Sequence, residues 1–235
     1  MNNTPYPIDQ TGYKGLRRTV SLLVLVAVNL LPLAGVIFLG WDVAALMVLY
    51  WSENLILGFF TLIKMFVVSP LGALGMGSFF AIHYGGFCAV HGLFIAILLV
   101  DENIEPMPGE PWPLFLVFIQ LLVNVVRQVL AHAPPEWIFA FGALFISHGV
   151  SFVFNFLLAH ERDDVTLKKL MGAPYGRIVV LHIAVLFGGF AIAALGQPVL
   201  MLVVLVLVKL GIDVALHLRE HKRLAALRAS EQPIA

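Results

Sequence analysis

Seven stretches of the chain, near residues 19–39, 43–68, 77–100, 113–131, 137–158, 176–195 and 198–218, are apolar over membrane-scale lengths and are joined by short glycine, proline or charged connections. A helix needs around 20 such residues to cross a hydrocarbon core about 30 Å thick. The fourth stretch differs from the others. Gln120, Asn124, Arg127 and Gln128 recur on one of its faces, while Phe115, Phe118, Leu122 and Val125 occupy much of the other. That pattern predicts an amphipathic helix that lies in the interface or re-enters the bilayer without crossing it.

The basic residues decide between six and seven crossings, because Lys and Arg in short loops collect on the cytoplasmic side. Lys14, Arg17 and Arg18 place the N-terminus inside, Lys64 places the end of the second helix inside, and the acidic segment DENIEPMPGEP fits outside. Seven crossings would put Lys168, Lys169 and Arg177, and also the tail with Arg219, Lys222, Arg223 and Arg228, on the wrong side. Six crossings put every basic loop inside. The expected fold is therefore an all-α, polytopic transmembrane helical bundle with six crossings plus one interfacial or re-entrant helix, and seven crossings is the alternative. Residues 1–18 form a cytoplasmic segment, 19–218 the membrane domain and 219–235 a cytoplasmic basic tail.

Composition agrees with this class, since 60% of the residues are hydrophobic and only 12% charged, which leaves no soluble domain of useful size. The lipid bilayer is the first expected partner. Equal numbers of acidic and basic residues give no reason to expect nucleic-acid binding. Cys88 is the single cysteine, so neither an internal disulfide nor a thiolate cluster is available. The N-terminus is polar for too long, and lacks the cleavage pattern, to read as a removable signal peptide.

Polar residues inside the apolar stretches carry the candidate chemistry. In the last one, PVLMLVVLVLVKLGIDVALHL, Lys209, Asp213 and His217 stand at four-residue spacing and form one stripe. A central charge costs roughly 2.5 to 3.5 kcal/mol on the insertion scale, so the stripe must face protein or trapped water. Glu53 and Asn54 sit near the middle of the second stretch, with Lys64 returning to nearly the same face as Glu53. His83 and His91 share the third but are eight residues apart, too far in height for one compact metal to use both easily. His148, Ser151 and Asn155 align in the fifth, and His182 follows Arg177 in the sixth. His182 and Asp213 each lie 15 residues from the turn at Gln197 and Pro198, which predicts a common depth.

Three imidazoles with one or two carboxylates are the ligand set of a catalytic zinc or similar divalent metal, which keeps one position open for water. On this reading His83, His182 and His217 are ligands, Asp213 is a ligand or supports one, Glu53 is the general base or a further ligand, and Lys209 orients Asp213 or stabilises an oxyanion. The product of that reading is an intramembrane hydrolase of lipid or peptide substrates. A proton-coupled transporter of a small solute or ion is the alternative, with Glu53, Lys209 and Asp213 relaying protons through the histidines. Gly188 and Gly189, read as helix interruptions, serve either scheme. Haem is weaker, because no histidine pair on facing helices stands out. In a fourth reading the polar residues, including Asn54, His91, His148 and Asn155, serve only stability and specificity in a protein that binds a partner.

The blocks YWSENLILGFFTLIKM, FFAIHYGGFCAVHGLF, YGRIVVLHIAVLFGG and VKLGIDVALHLREH resemble a family of bacterial integral membrane proteins known as a domain of unknown function. The resemblance covers most of the chain and implies a compact multi-span domain in the plasma (inner) membrane. His217-x-x-x-His221 is similar to the last-helix histidine pair of the alkaline ceramidase and adiponectin-receptor superfamily, although Ser78 stands five residues before His83 instead of four. Phe79-x-x-x-His83 resembles one element of intramembrane CAAX-type proteases, whose paired glutamates are absent because Asn54 follows Glu53.

Overall fold

The computed structural model of the chain describes residues 26–27, 29–100, 103–132, 137–158 and 161–230, with the side chains of residues 161, 164 and 216–230 outside that description. The predicted segment 1–18 lies outside the described residues. Eight α-helices organise the rest, and no strand occurs among the described residues. They are α1 (Asn29–Leu39), α2 (Val43–Val68), α3 (Pro70–Ile95), α4 (Leu116–His132), α5 (Trp137–Ser151), α6 (Leu167–Gly172), α7 (Tyr175–Leu195) and α8 (Val199–Ser230). Ala96–Val100 continues α3, and Phe152–Leu158 continues α5, as wider π-helical turns.

Local chemistry sets the helix ends. Asp42 starts α2 by accepting a hydrogen bond from the Ala44 N–H at 2.9 Å. Ser69 alone separates α2 from α3, and its hydroxyl accepts from the Gly72 N–H while Pro70 occupies the first helical turn. This Ser-Pro start carries α3 seven residues further toward its N-terminus than hydropathy predicts. Gly196, at φ 67°, ends α7 in the left-handed conformation that glycine adopts without strain. The tail predicted to begin at residue 219 is a helical continuation of α8.

Helix contacts give the direction of each rod. Trp51 meets Cys88, Tyr84 meets Asn54, and Leu62 approaches Gly77, so α3 runs antiparallel to α2. Phe145 packs on Phe59 and Phe60, and Phe156 lies beneath the Lys64 ammonium at 4.9 Å, so α5 descends in the same sense as α2. α7 follows α3 through the pairs Tyr175–His83 and His182–His91. Close approaches rest on missing side chains. A Cβ on Gly92 would lie 2.5 Å from the Trp51 ring, and one on Gly188 would lie 2.6 Å from the Met201 Cα. α7 therefore runs unbroken through Gly188 and Gly189, whose service is close packing and not interruption.

Four helical units are long and apolar enough to cross a membrane among the described residues: Val43–Val68, Pro70–Val100, Trp137–Leu158 and Leu167–Leu195. At 17 residues α4 is not one of them. Its first turns, at Phe118, Ile119 and Leu122, pack on Gly85 and Gly86 in the middle of α3, whereas Val129 and His132 reach a pocket shared with Leu99 and Val100 at the end of α3. The chain thus leaves α3, doubles back half its length, and rises again as α4. Gln120 and Asn124 are buried, contrary to the water-facing stripe expected of an interfacial helix. Gln120 accepts from the Trp112 N–H at 2.7 Å and donates to the Glu110 carbonyl at 3.0 Å, while Asn124 donates to the Pro106 carbonyl at 3.4 Å. Gln120 and Asn124 satisfy backbone groups of the returning loop, while Arg127 on the same stripe is exposed, because irregular backbone persists at apolar depth only where its N–H and C=O groups are bonded.

Candidate functional site

α7 carries polar side chains on two faces. Tyr175 and His182 are seven residues apart, nearly two turns, and both turn toward α3, where they meet His83 and His91. His83 Nδ1 and the Tyr175 hydroxyl share a hydrogen bond of 2.8 Å. His91 Nδ1 lies 2.6 Å from the Phe87 carbonyl, which can only accept, so this nitrogen carries the proton. In neutral His91 the lone pair is then on Nε2, which stands 2.8 Å from His182 Nδ1 and accepts its N–H. The chain of donors leaves a lone pair on His182 Nε2. His91 is buried, whereas His182 and His83 are exposed on the flank of the bundle.

These imidazoles open into apolar space. A cavity of about 450 Å³ between α3, α4 and α7 is lined by Phe79, Phe87, Phe115 and Phe118 together with His83, His91 and His182. Phe79 stacks on His83 with ring centres 5.1 Å apart, and Phe87 meets the same ring edge-on at 5.0 Å. The Phe118 side chain fits because Gly86 has none; a Cβ there would stand 3.2 Å from it.

The opposite face of α7 holds the charges. Arg177 Nη1 bonds Glu53 Oε1 at 2.6 Å, and His148 Nε2 lies 3.4 Å from the same oxygen. The Lys209 ammonium stands over the Tyr50 ring at 5.4 Å. Glu53 and Tyr50 also border a cavity of about 490 Å³ between α2 and α5. Lys64, expected on nearly the same helical face as Glu53, lies over the Phe156 ring. Asp213 accepts a hydrogen bond from the Asn29 side chain at 3.2 Å. Asn54 donates to the Tyr50 carbonyl one turn back, and Asn155 to the Ser151 hydroxyl, so both amides act locally.

The ligand set expected for a divalent metal is spread over three places: His83 with Tyr175, His182 with His91, and Asp213 with Asn29. Among the described residues no three His, Cys, Asp or Glu side chains converge closely enough to hold an ion. The side chain of His217 lies outside the described residues. The common depth of His182 and Asp213 does not hold as drawn, because Met201 packs on Gly188 and so offsets α8 from a register symmetric about the turn. Conversely, a histidine pair on facing helices does exist, in His91 and His182, which the sequence did not single out. Tyr175 and Arg177 were overlooked as site residues. The seven-residue spacing of Tyr175 and His182 was a signal for the first, and the need of Glu53 for a cation was a signal for the second.

A family model matches residues 13–230, nearly the whole chain. The chain belongs to the family of unknown function DUF6498. No significant match was found to a curated protein or to a solved structure, so the short likenesses at His83 and His217 bring no activity with them.

Proposed function

We propose that this DUF6498 member is a multi-pass membrane protein that binds an uncharged lipid-like molecule in the histidine-lined cavity and accepts a hydrogen bond from it at His182. The stretch 19–39, of which α1 is the described helix, together with α2, α3, α5, α7 and α8 makes the six crossings in this reading, α4 is re-entrant from the side opposite the basic loops, and both termini are cytoplasmic. The observation that carries the functional reading is the lone pair on His182 Nε2, held in place by His91 and Phe87, in a cavity whose other walls, apart from His83 and His91, are apolar. An unpaired polar nitrogen at apolar depth costs free energy that a ligand hydroxyl would recover. Acting on a lipid ester, the same nitrogen would serve as general base for water, the role expected of Glu53 from sequence. Glu53 is occupied by Arg177 and belongs to the frame of this site.

The test is saturable binding of radiolabelled oleyl alcohol to the protein in lipid nanodiscs. His182→Phe keeps a ring of similar size and removes the acceptor, and the lost hydrogen bond is expected to weaken binding about tenfold. Binding that never saturates, or that is as tight in His182→Phe, refutes the reading.

A second reading, proton-coupled transport, is favoured by the network of Glu53, Arg177, His148 and Lys209 beside a cavity. It expects a solute that collapses a pH gradient in proteoliposomes, with Glu53→Gln abolishing the flux; unchanged flux in that variant would end it.

A further inference from the structure

His182 also borders a further cavity. A second, of about 320 Å³, continues between α3 and α7 on the far side of the histidine pair, walled by Phe94, Leu98, Leu186, Phe190 and Ala193 and again by His91 and His182. The first extends along α3 from Val90 down to Phe79, about 16 Å of helix, and the second from Val90 up to Leu98, about 12 Å. The His91–His182 pair is therefore at the waist of a long apolar groove, not at its mouth. Arg177 faces the other side of α7, toward Glu53, and no Lys, Arg, Asp or Glu lines either cavity among the described residues.

From this arrangement, and resting on the lipid-binding reading above, we infer that the ligand is a neutral lipid alcohol whose hydroxyl lies between two hydrocarbon arms, as in a 1,3-diacylglycerol. Three features select that class. The acceptor at His182 Nε2 calls for an O–H donor. The absence of a charged group in either wall excludes a phosphate or ammonium head, which would be desolvated without compensation. The apolar space on both sides of the acceptor is filled only by a molecule with a hydrocarbon arm on each side of its polar group. A lipid with a terminal hydroxyl occupies one cavity and leaves the other to bilayer chains.

The two arms are separable by substitution. Gly189 borders only the second cavity, where a Cβ would stand 3.4 Å from Leu98 Cδ1, so Gly189→Leu fills that space and leaves the first cavity intact. Ala193→Leu, at an exposed position of the same wall, does so more gently. Binding of radiolabelled 1,3-dioleoylglycerol and of oleyl alcohol is measured for the full chain in nanodiscs. Both variants are expected to weaken dioleoylglycerol tenfold or more and oleyl alcohol less than twofold, the latter also reporting that the protein is folded. Dioleoylglycerol binding unchanged in both variants overturns the two-armed ligand while leaving lipid binding in place. Loss of both lipids in variants whose thermal unfolding midpoint matches that of the unsubstituted chain also overturns it, since a single-armed alcohol would then need the second cavity too. Binding of both lipids that is insensitive to His182→Phe removes the underlying reading instead.

Discussion

Arg177 should be the side chain whose loss the fold feels most among the charged residues. Its guanidinium lies 2.6 Å from Glu53, whose side chain is 20% exposed while that of Arg177 is 46% exposed. Charge centres about 4 Å apart attract by about 4 kcal/mol at an effective dielectric of about 20, and removing one partner of a buried pair costs about 3–5 kcal/mol. Half of Arg177 is open, which lowers the expected cost of Arg177→Met to about 2–3 kcal/mol. Glu53→Gln keeps an acceptor for Arg177 and should cost about 1–2 kcal/mol. The double variant has no stranded charge, so it should fall short of the sum by about 2 kcal/mol. His148 adds little as the second partner, being 3.4 Å from the same oxygen and charged only when protonated. Reversible unfolding in mixed micelles titrated with dodecyl sulfate, followed by tryptophan fluorescence, measures all three. Costs that add to within about 0.5 kcal/mol would show that the pair is not coupled and that Glu53 is satisfied some other way.

Three further outcomes follow from the packing. Gly188→Ala places a methyl against the Met201 backbone and should destabilise by about 1–3 kcal/mol, whereas Gly189→Ala, in ordinary contact with Leu98, should change thermal stability little. Equal effects in the two would place the α7–α8 contact elsewhere. Gln120→Leu strands the Trp112 N–H and the Glu110 carbonyl, so hydrogen exchange across 104–113 should rise by an amount corresponding to about 1–3 kcal/mol; unchanged protection would mean that the loop is held without Gln120. Single cysteines at Met107 and His132, in a Cys88→Ala background, should both react with an impermeant maleimide from the same side of oriented vesicles. Labelling from opposite sides would make α4 a crossing and restore the seven-span alternative.

The sequence alone determined the solvent of this protein. Long apolar runs require helices in lipid, and the one run with a polar face had to behave differently from the rest. It also determined which residues needed explaining, since Glu53, His83, His91, His148, His182, Lys209 and Asp213 are all costly at apolar depth. It did not determine who meets whom. A helix that is apolar on every side carries no periodicity to tell its protein face from its lipid face, so the rotation of each rod is hidden in a single sequence. Tertiary packing decided it through small residues: Gly92 admits Trp51, Gly86 admits Phe118 and Gly188 admits Met201. Those contacts fix the rotation and height of α3, α4, α7 and α8. Height and rotation then send His182 to His91, Glu53 to Arg177 and Asp213 to Asn29, where depth and topology read from the sequence had drawn His182, Glu53 and Asp213 into one cluster. The amphipathic stripe of α4 shows the same division, because its polarity was legible in the sequence, while its partner, the buried backbone of the loop before it, existed only once the chain had folded back.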